Sequence, residues 1–309
     1  MRKVFLECLV GIAERDPRIV LMTADLGFMV LEPFAKRFPE RFFNVGVAEA
    51  NMIGLATGLA ACGYIPYVYS IATFATMRCY EQIRNGPVLH KLQVRIIGIG
   101  GGFEYGAAGP SHHALEDFAI TRVQPGLSVI APADDLQAMH ALKSTYDLPG
   151  PVYYRLSKQD NAVLPDLAGR FNLGHAEIVR EGSDMLIVSI GSISIESLAS
   201  ATILAACGIE TTVAIVSSLR PVPAEDLKVL LRRFYLVATV EEHYLNGGLG
   251  SMVLELAGEI GAHCRIVRFG VTEDAPRMCG DSRYLREYAG LTAKAMARKL
   301  IEESRKIHG

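Results

Sequence analysis

Three stretches of this sequence hold residues whose types and spacing could do chemistry. In FFNVGVAEANMIGLATGLAACGYIP (42–66) a strand ends at NVG, and a carboxylate, Glu49, stands at the start of an apolar helix. The small residues of that helix (Ala48, Gly54, Ala56, Gly58, Ala60) let another backbone or chain come close. On spacing alone Glu49 reads as a first-turn acid, favoured there by the helix dipole. In YSIATFATMRCYEQIRN (69–85), Phe74 on spacing alone reads as core, because aromatics are commonly buried. GGGFEYGAAGPSHHALEDFAITR (100–122) joins a glycine-rich loop to the adjacent pair His112 and His113. The loop lacks the G-x-G-x-x-G spacing, which leaves a weak phosphate signal. Adjacent histidines ligate a metal only where further ligands converge, and none is evident, so no metal site is assigned to this chain.

The elements that must position these residues read as α/β. Continuous apolar runs at 18–25, 64–70, 94–100, 127–133 and 151–156 look like strands covered on both faces. Helix-like segments lie between them at 47–62, 80–91 and 134–146, the last opened by Asp134 as an N-cap. This alternation predicts a mostly parallel sheet. It is interrupted between about Asp160 and Gly182, then resumes with apolar runs at 184–192, 211–218, 235–243 and 264–270. Two domains follow, 1–165 and 180–309, each a mostly parallel sheet covered by helices, and a chain of 309 residues accommodates two.

Composition narrows the function classes. Half the residues are apolar, 21% are charged and the net charge is −2, with no basic patch to suit nucleic acid. No apolar run approaches the ~20 residues that span a bilayer. MRKVFLECLVGIAERDPRIV at the N-terminus reads as an amphipathic helix rather than a signal peptide. Six scattered cysteines without a C-x-x-C pair point to reduced thiols and a cytoplasmic location.

NVGVAEANMIGLATGLA resembles the segment of transketolases, deoxyxylulose-phosphate synthases and 2-oxoacid dehydrogenase beta subunits that carries the glutamate activating thiamine diphosphate. The resemblance implies that Glu49 hydrogen-bonds ring nitrogen N1′, driving the cofactor's amino group to the imino form that deprotonates the thiazolium carbon. It places Phe74 as the stacking partner of the aminopyrimidine, with Ile71 standing where many relatives have a second aromatic. Asp25, in TADLG, becomes a contact near the cofactor. GPSHHALED matches the transketolase segment whose histidine lies beside the substrate carbonyl and hydroxyls, which falls on His112, with Glu116 one turn on to order it. His113 stands where relatives usually have glutamine. VEEHYLNGGLGS (240–251) resembles the C-terminal domain of the same enzymes, where His243 reads as structural. The fold implied is a thiamine-diphosphate-binding pyrimidine domain followed by a transketolase C-terminal domain.

These enzymes hold Mg²⁺ and the diphosphate in a separate domain with a GDG motif. No GDG occurs in this sequence, and the nearest string is Gly280-Asp281-Ser282. The expectation is therefore a split transketolase. A partner subunit of N-terminal type supplies the diphosphate and Mg²⁺ site, in a heterotetramer of two plus two. The reaction implied is transfer of a two-carbon ketol unit from a ketose to an aldehyde, with small sugars as substrates. Arg2 matches a position near the phosphate end, and Lys158 stands where arginine is common. Ala108 replaces a sugar-binding aspartate, and a glycine near Gly100 replaces a histidine. Lysine is a poorer bidentate phosphate partner, so a modified, sulfonated or unphosphorylated ketose stays open. A beta-type subunit of another thiamine diphosphate enzyme is the alternative within the superfamily. A non-catalytic scaffold subunit is the alternative outside it.

Overall fold

The computed structural model describes residues 1–159, 163–272 and 278–308. Residues 160–162 of the interrupted stretch lie outside the described residues. The strands, in chain order, are β1 (Ile19–Thr23), β2 (Phe42–Asn44), β3 (Ile65–Ile71), β4 (Arg95–Ile99), β5 (Ser128–Ile130) and β6 (Val152–Leu156). They continue with β7 (Ala176–Arg180), β8 (Met185–Ile190), β9 (Thr211–Val216), β10 (Ser218–Arg220), β11 (Leu236–Tyr244) and β12 (Arg265–Val271). The first sheet runs β10-β5-β6-β4-β3-β1-β2 and the second β12-β11-β8-β9-β7. Both are parallel except at one edge, where β10 pairs antiparallel with β5 and β7 with β9. The mostly parallel α/β architecture read from the apolar runs is the one observed.

Side chains of a strand alternate between faces, and here each face meets its own helices. On β1 and β3, Ile19, Leu21, Ile65, Tyr67 and Tyr69 pack with Phe5, Leu9, Ala138 and Leu142 from the helices Arg2–Ala13 and Asp135–Thr145. Val20, Met22 and Val68 face the other way, onto Met52, Ile53 and Ala56 of the helix Glu49–Ala61. That second cluster runs on without a break into Leu186, Val188, Val216, Leu227 and Val253 of the other sheet and its helices. The two halves of the chain therefore share one core. β2 and β3 lie on opposite sides of β1. The connections diverge there, and in open α/β sheets the carboxyl ends of the strands at such a point are where ligands commonly bind.

Local features depart from the sequence reading. The run 211–218 divides into two strands, of which β10 leaves its own sheet to extend the first one. The segment 80–91 is α-helical only over Tyr80–Ile83 and then widens to a π turn over Arg84–Val88, where Pro87 has no N–H to continue the ladder. In keeping with the sequence reading, Gly280-Asp281-Ser282 is no GDG motif, and Asp281 has a local role. Its side chain accepts from the Tyr284 N–H at 2.8 Å and caps the helix Ser282–Tyr288.

Polar contacts lock the two halves together. Arg155 of β6 lies 3.0 Å from the Asp117 carboxylate and donates to the carbonyls of Ala114 and Glu242 at 2.7 and 2.8 Å. The glycine run explains how this packs. A Cβ on Gly101 would sit 2.0 Å from Arg155 Nε, and one on Gly102 2.4 Å from Glu242 Cγ. His243 is buried between the halves, its Nδ1 2.7 Å from the Tyr244 carbonyl while Nε2 accepts from the Ala119 N–H at 3.2 Å.

Two outcomes follow. Arg155→Met leaves Asp117 charged and buried, and should cost about 3–5 kcal/mol; urea unfolding of the full chain measures it, and a loss under about 1 kcal/mol would contradict this role. Burial pushes His243 down to about 4. The unfolded chain then binds a proton that the fold does not. The stability His243 gives is complete above pH ~6.5 and falls as pH drops towards 4, by about 3 kcal/mol. His243→Gln should flatten that part of the pH profile, and an unchanged acid limb would count against the assignment.

Candidate active site

The candidate site beside β1 is built around Glu49. At the ends of β1 and β2, Asn44 Nδ2 donates to Asp25 Oδ1 at 2.9 Å, and the N–H groups of Asp25 and Gly46 donate to Asn44 Oδ1 at 3.1 and 3.0 Å. These bonds set the turn that starts the helix Glu49–Ala61, and Gly46 takes a left-handed φ of 72° there. Glu49 in the first turn is only 3% exposed. Strand alternation puts Ser70 on the same face as Val68, towards that helix. Its hydroxyl donates to Glu49 Oε1 at 3.3 Å. Arg78 Nη1 donates to both carboxylate oxygens, at 3.2 and 3.1 Å.

From Glu49 the contacts continue along one line. β3 ends at the buried Ile71, which precedes the helix Ala72–Thr76 bearing Phe74. The Arg78 guanidinium carbon lies 3.7 Å from the centre of the Phe74 ring. The His112 ring meets Phe74 edge-on, 5.0 Å between centroids at 68°. Ser111 Oγ is 3.0 Å from His112 Nδ1. Tyr105 is 6.5 Å beyond His112. Lys158 Nζ sits 4.4 Å over the Tyr105 ring. The positive charge of Arg2 acts on the hydroxyls of Tyr69 and Tyr105; burial pushes Tyr69 up to about 12 and Arg2 offsets part of that. The half-buried carboxylate of Glu104 accepts from Ser157 Oγ at 2.6 Å and the Lys158 N–H at 2.5 Å, and desolvation raises it above the usual range.

Pairwise contacts thus link Glu49 through Arg78 to Phe74, His112, Tyr105 and Lys158, with Arg2 acting on Tyr69 and Tyr105 and Ile71 buried at the end of β3. Asp25 is exposed and paired with Asn44 rather than with Glu49. His113 turns the other way. It is 5% exposed and edge-on to Phe103 at 5.2 Å, and burial lowers its imidazole below the usual range. The short 3₁₀ turn ends at His112 and the next residue is extended, so the two rings diverge. Glu116 is not beside His112. It lines a separate cleft with His243, Asn246 and Arg268, and accepts from the Leu115 N–H at 3.1 Å.

Ser70, Arg78 and Tyr105 were not singled out by sequence reasoning. Phe74 and Arg78 are four residues apart, a helical spacing that could have paired them. A buried carboxylate beside an aromatic face suits a flat ring bearing N–H donors or ring nitrogens, and a planar guanidinium already sits in that place. Among the described residues no group of three His, Cys, Asp or Glu side chains could hold a metal ion. The far side of the helix Glu49–Ala61 leaves Asn51, Gly54, Leu55 and Gly58 exposed.

Residues 1–162 match the transketolase pyrimidine-binding domain and residues 174–296 the transketolase C-terminal domain. The chain is 35% identical over 305 residues to the 6-deoxy-6-sulfo-D-fructose transketolase subunit SqwH of a Clostridium species, covering 98% of this chain and 94% of that one. It is 32% identical over 306 residues to an apulose-4-phosphate transketolase subunit of Phocaeicola vulgatus, covering 97% and 96%. A solved split-gene transketolase in the form of an inactive beta4 tetramer superposes with a TM-score of 0.87 at 37% identity, over 97% of both chains. The chain belongs to the transketolase family.

Proposed function

We propose that this chain is the pyrimidine-binding subunit of a two-chain transketolase that moves a two-carbon ketol unit from a ketose to an aldehyde. The observation that carries the proposal is Glu49, buried in the first turn of its helix, linked by Arg78 to the Phe74 ring, which His112 meets edge-on. When bound, thiamine diphosphate supplies an acidic thiazolium carbon and the amino group that deprotonates it. Glu49 would hold a proton on the pyrimidine ring nitrogen, in surroundings where low dielectric strengthens the hydrogen bond. Phe74 would stack on the ring, and Ile71 and Asp25 would border it. His112 has Nδ1 fixed by Ser111 and no partner on Nε2 among the described residues. It would address the substrate carbonyl and hydroxyls and move protons there. Lys158 and Arg2 would attract the anionic end of a sugar, an arrangement of single cations that tolerates more than one anionic group. His113 lies too deep for this task without a shift of its loop.

We assign the diphosphate and Mg²⁺ to a partner subunit. The exposed small-residue face of the helix Glu49–Ala61 leaves room for a second backbone, and a two-plus-two assembly satisfies the symmetry. No helix among the described residues is long and apolar enough to cross a membrane. With six free cysteines, a cytoplasmic site of action fits.

The test is turnover of the chain assembled with a diphosphate-binding partner, with ketose donors and aldehyde acceptors. Glu49→Gln should lower kcat by about 10²–10⁴-fold, the usual contribution of a positioned acid–base group. Full turnover by Glu49→Gln would exclude the role given to Glu49. Activity with pyruvate and an artificial electron acceptor, and none with ketoses, would assign the chain to a different thiamine enzyme.

A further inference from the structure

We infer that the Arg78 guanidinium is a built-in placeholder for the aminopyrimidine, and that Arg78 must swing out for the site to load. This rests on the reading of Glu49 and Phe74 as the pyrimidine site. The geometry is direct. One guanidinium donates to both Glu49 oxygens at 3.2 and 3.1 Å while its carbon lies 3.7 Å from the Phe74 ring centre. A second planar group that touches both Glu49 and this face of Phe74 has to use the same volume. His112 also meets the Phe74 ring, edge-on at 5.0 Å between centroids. The chemistry also corresponds. A guanidinium is flat, delocalised and rich in N–H donors, and it stacks on aromatic faces.

The two partners differ in freedom. Glu49 is 3% exposed and fixed by its helix, whereas the Arg78 side chain is 46% exposed. Arg78 also lies in the turn between the helices Ala72–Thr76 and Tyr80–Ile83, so its backbone is outside both. Arg78 can move into water; Glu49 cannot follow. In the cofactor-free chain Arg78 keeps a buried carboxylate paired, which Ser70 alone does at a longer 3.3 Å. Loading exchanges that pairing for the pyrimidine's, so Arg78 weakens cofactor binding while it stabilises the empty site.

The experiment measures Kd for thiamine diphosphate with Mg²⁺ by calorimetry on the chain assembled with its diphosphate-binding partner. It also measures the thermal midpoint of the full chain without cofactor. Arg78→Met should bind the cofactor about tenfold more tightly, the equivalent of one charge-assisted hydrogen bond no longer displaced. The cofactor-free midpoint should fall in Arg78→Met and recover in Arg78→Met with Glu49→Gln. If Arg78→Met folds poorly, Arg78→Lys keeps the charge without the planar fork and should still tighten binding. Unchanged or weaker binding by these variants, or an unmoved midpoint, overturns the placeholder. Glu49→Ala separates the two levels. Weaker binding by Glu49→Ala beside unimproved binding by the Arg78 variants leaves the pyrimidine site standing and removes only the placeholder. Unaltered binding by Glu49→Ala removes both.

Discussion

A carboxylate withdrawn from water must find donors or give up its charge. Glu49 is in that position, and much of the first half of the chain serves it. The Asp25–Asn44 pair sets the turn from which its helix starts. The apolar side of that helix is anchored by Met52, Ile53 and Ala56 in the core. Ser70 reaches it because the strand period puts residue 70 on the same face as residue 68. The next helix carries Phe74, and the turn after it carries Arg78, which donates to the carboxylate. Sequence order and sheet order together produce this, since β1 lies between β2 and β3 and the site lies at their carboxyl ends.

The second half of the chain acts at a distance. It does not contribute to the Glu49 cluster, yet it holds the loop that carries His112. Gly106 accepts from the Gly280 N–H at 3.2 Å, and a Cβ on Gly106 would meet Leu285 at 2.4 Å. Phe103 N–H donates to Glu242 at 2.8 Å, and Glu242 is itself bound by Arg286 at 2.9 and 2.6 Å. The loop 100–113 is thus clamped between the halves. Its glycines are there because Arg155, Glu242 and Tyr105 occupy the space side chains would need.

Periodicity made the central strands and the start of the Glu49 helix legible, because buried parallel strands are written as unbroken apolar runs. The glycine run was legible only as a loop, because close packing against Arg155 and Glu242 involves residues more than fifty positions away. β10 was hidden for a similar reason. Ser218–Arg220 has no apolar run of its own and is a strand only because β5 offers it an edge. Glu49, Phe74 and His112 were found through motif resemblance. Arg78 escaped because its meaning depends on a carboxylate 29 residues earlier in the chain. The opposite orientations of His112 and His113 came from one change in backbone angle, which no residue type announces.

The most direct measurement is calorimetric binding of thiamine diphosphate with Mg²⁺, first to this chain alone and then to the chain mixed with a diphosphate-binding partner subunit. A site shared between chains predicts tight binding only in the mixture. Tight binding by the chain alone would contradict the shared site and with it the two-chain enzyme.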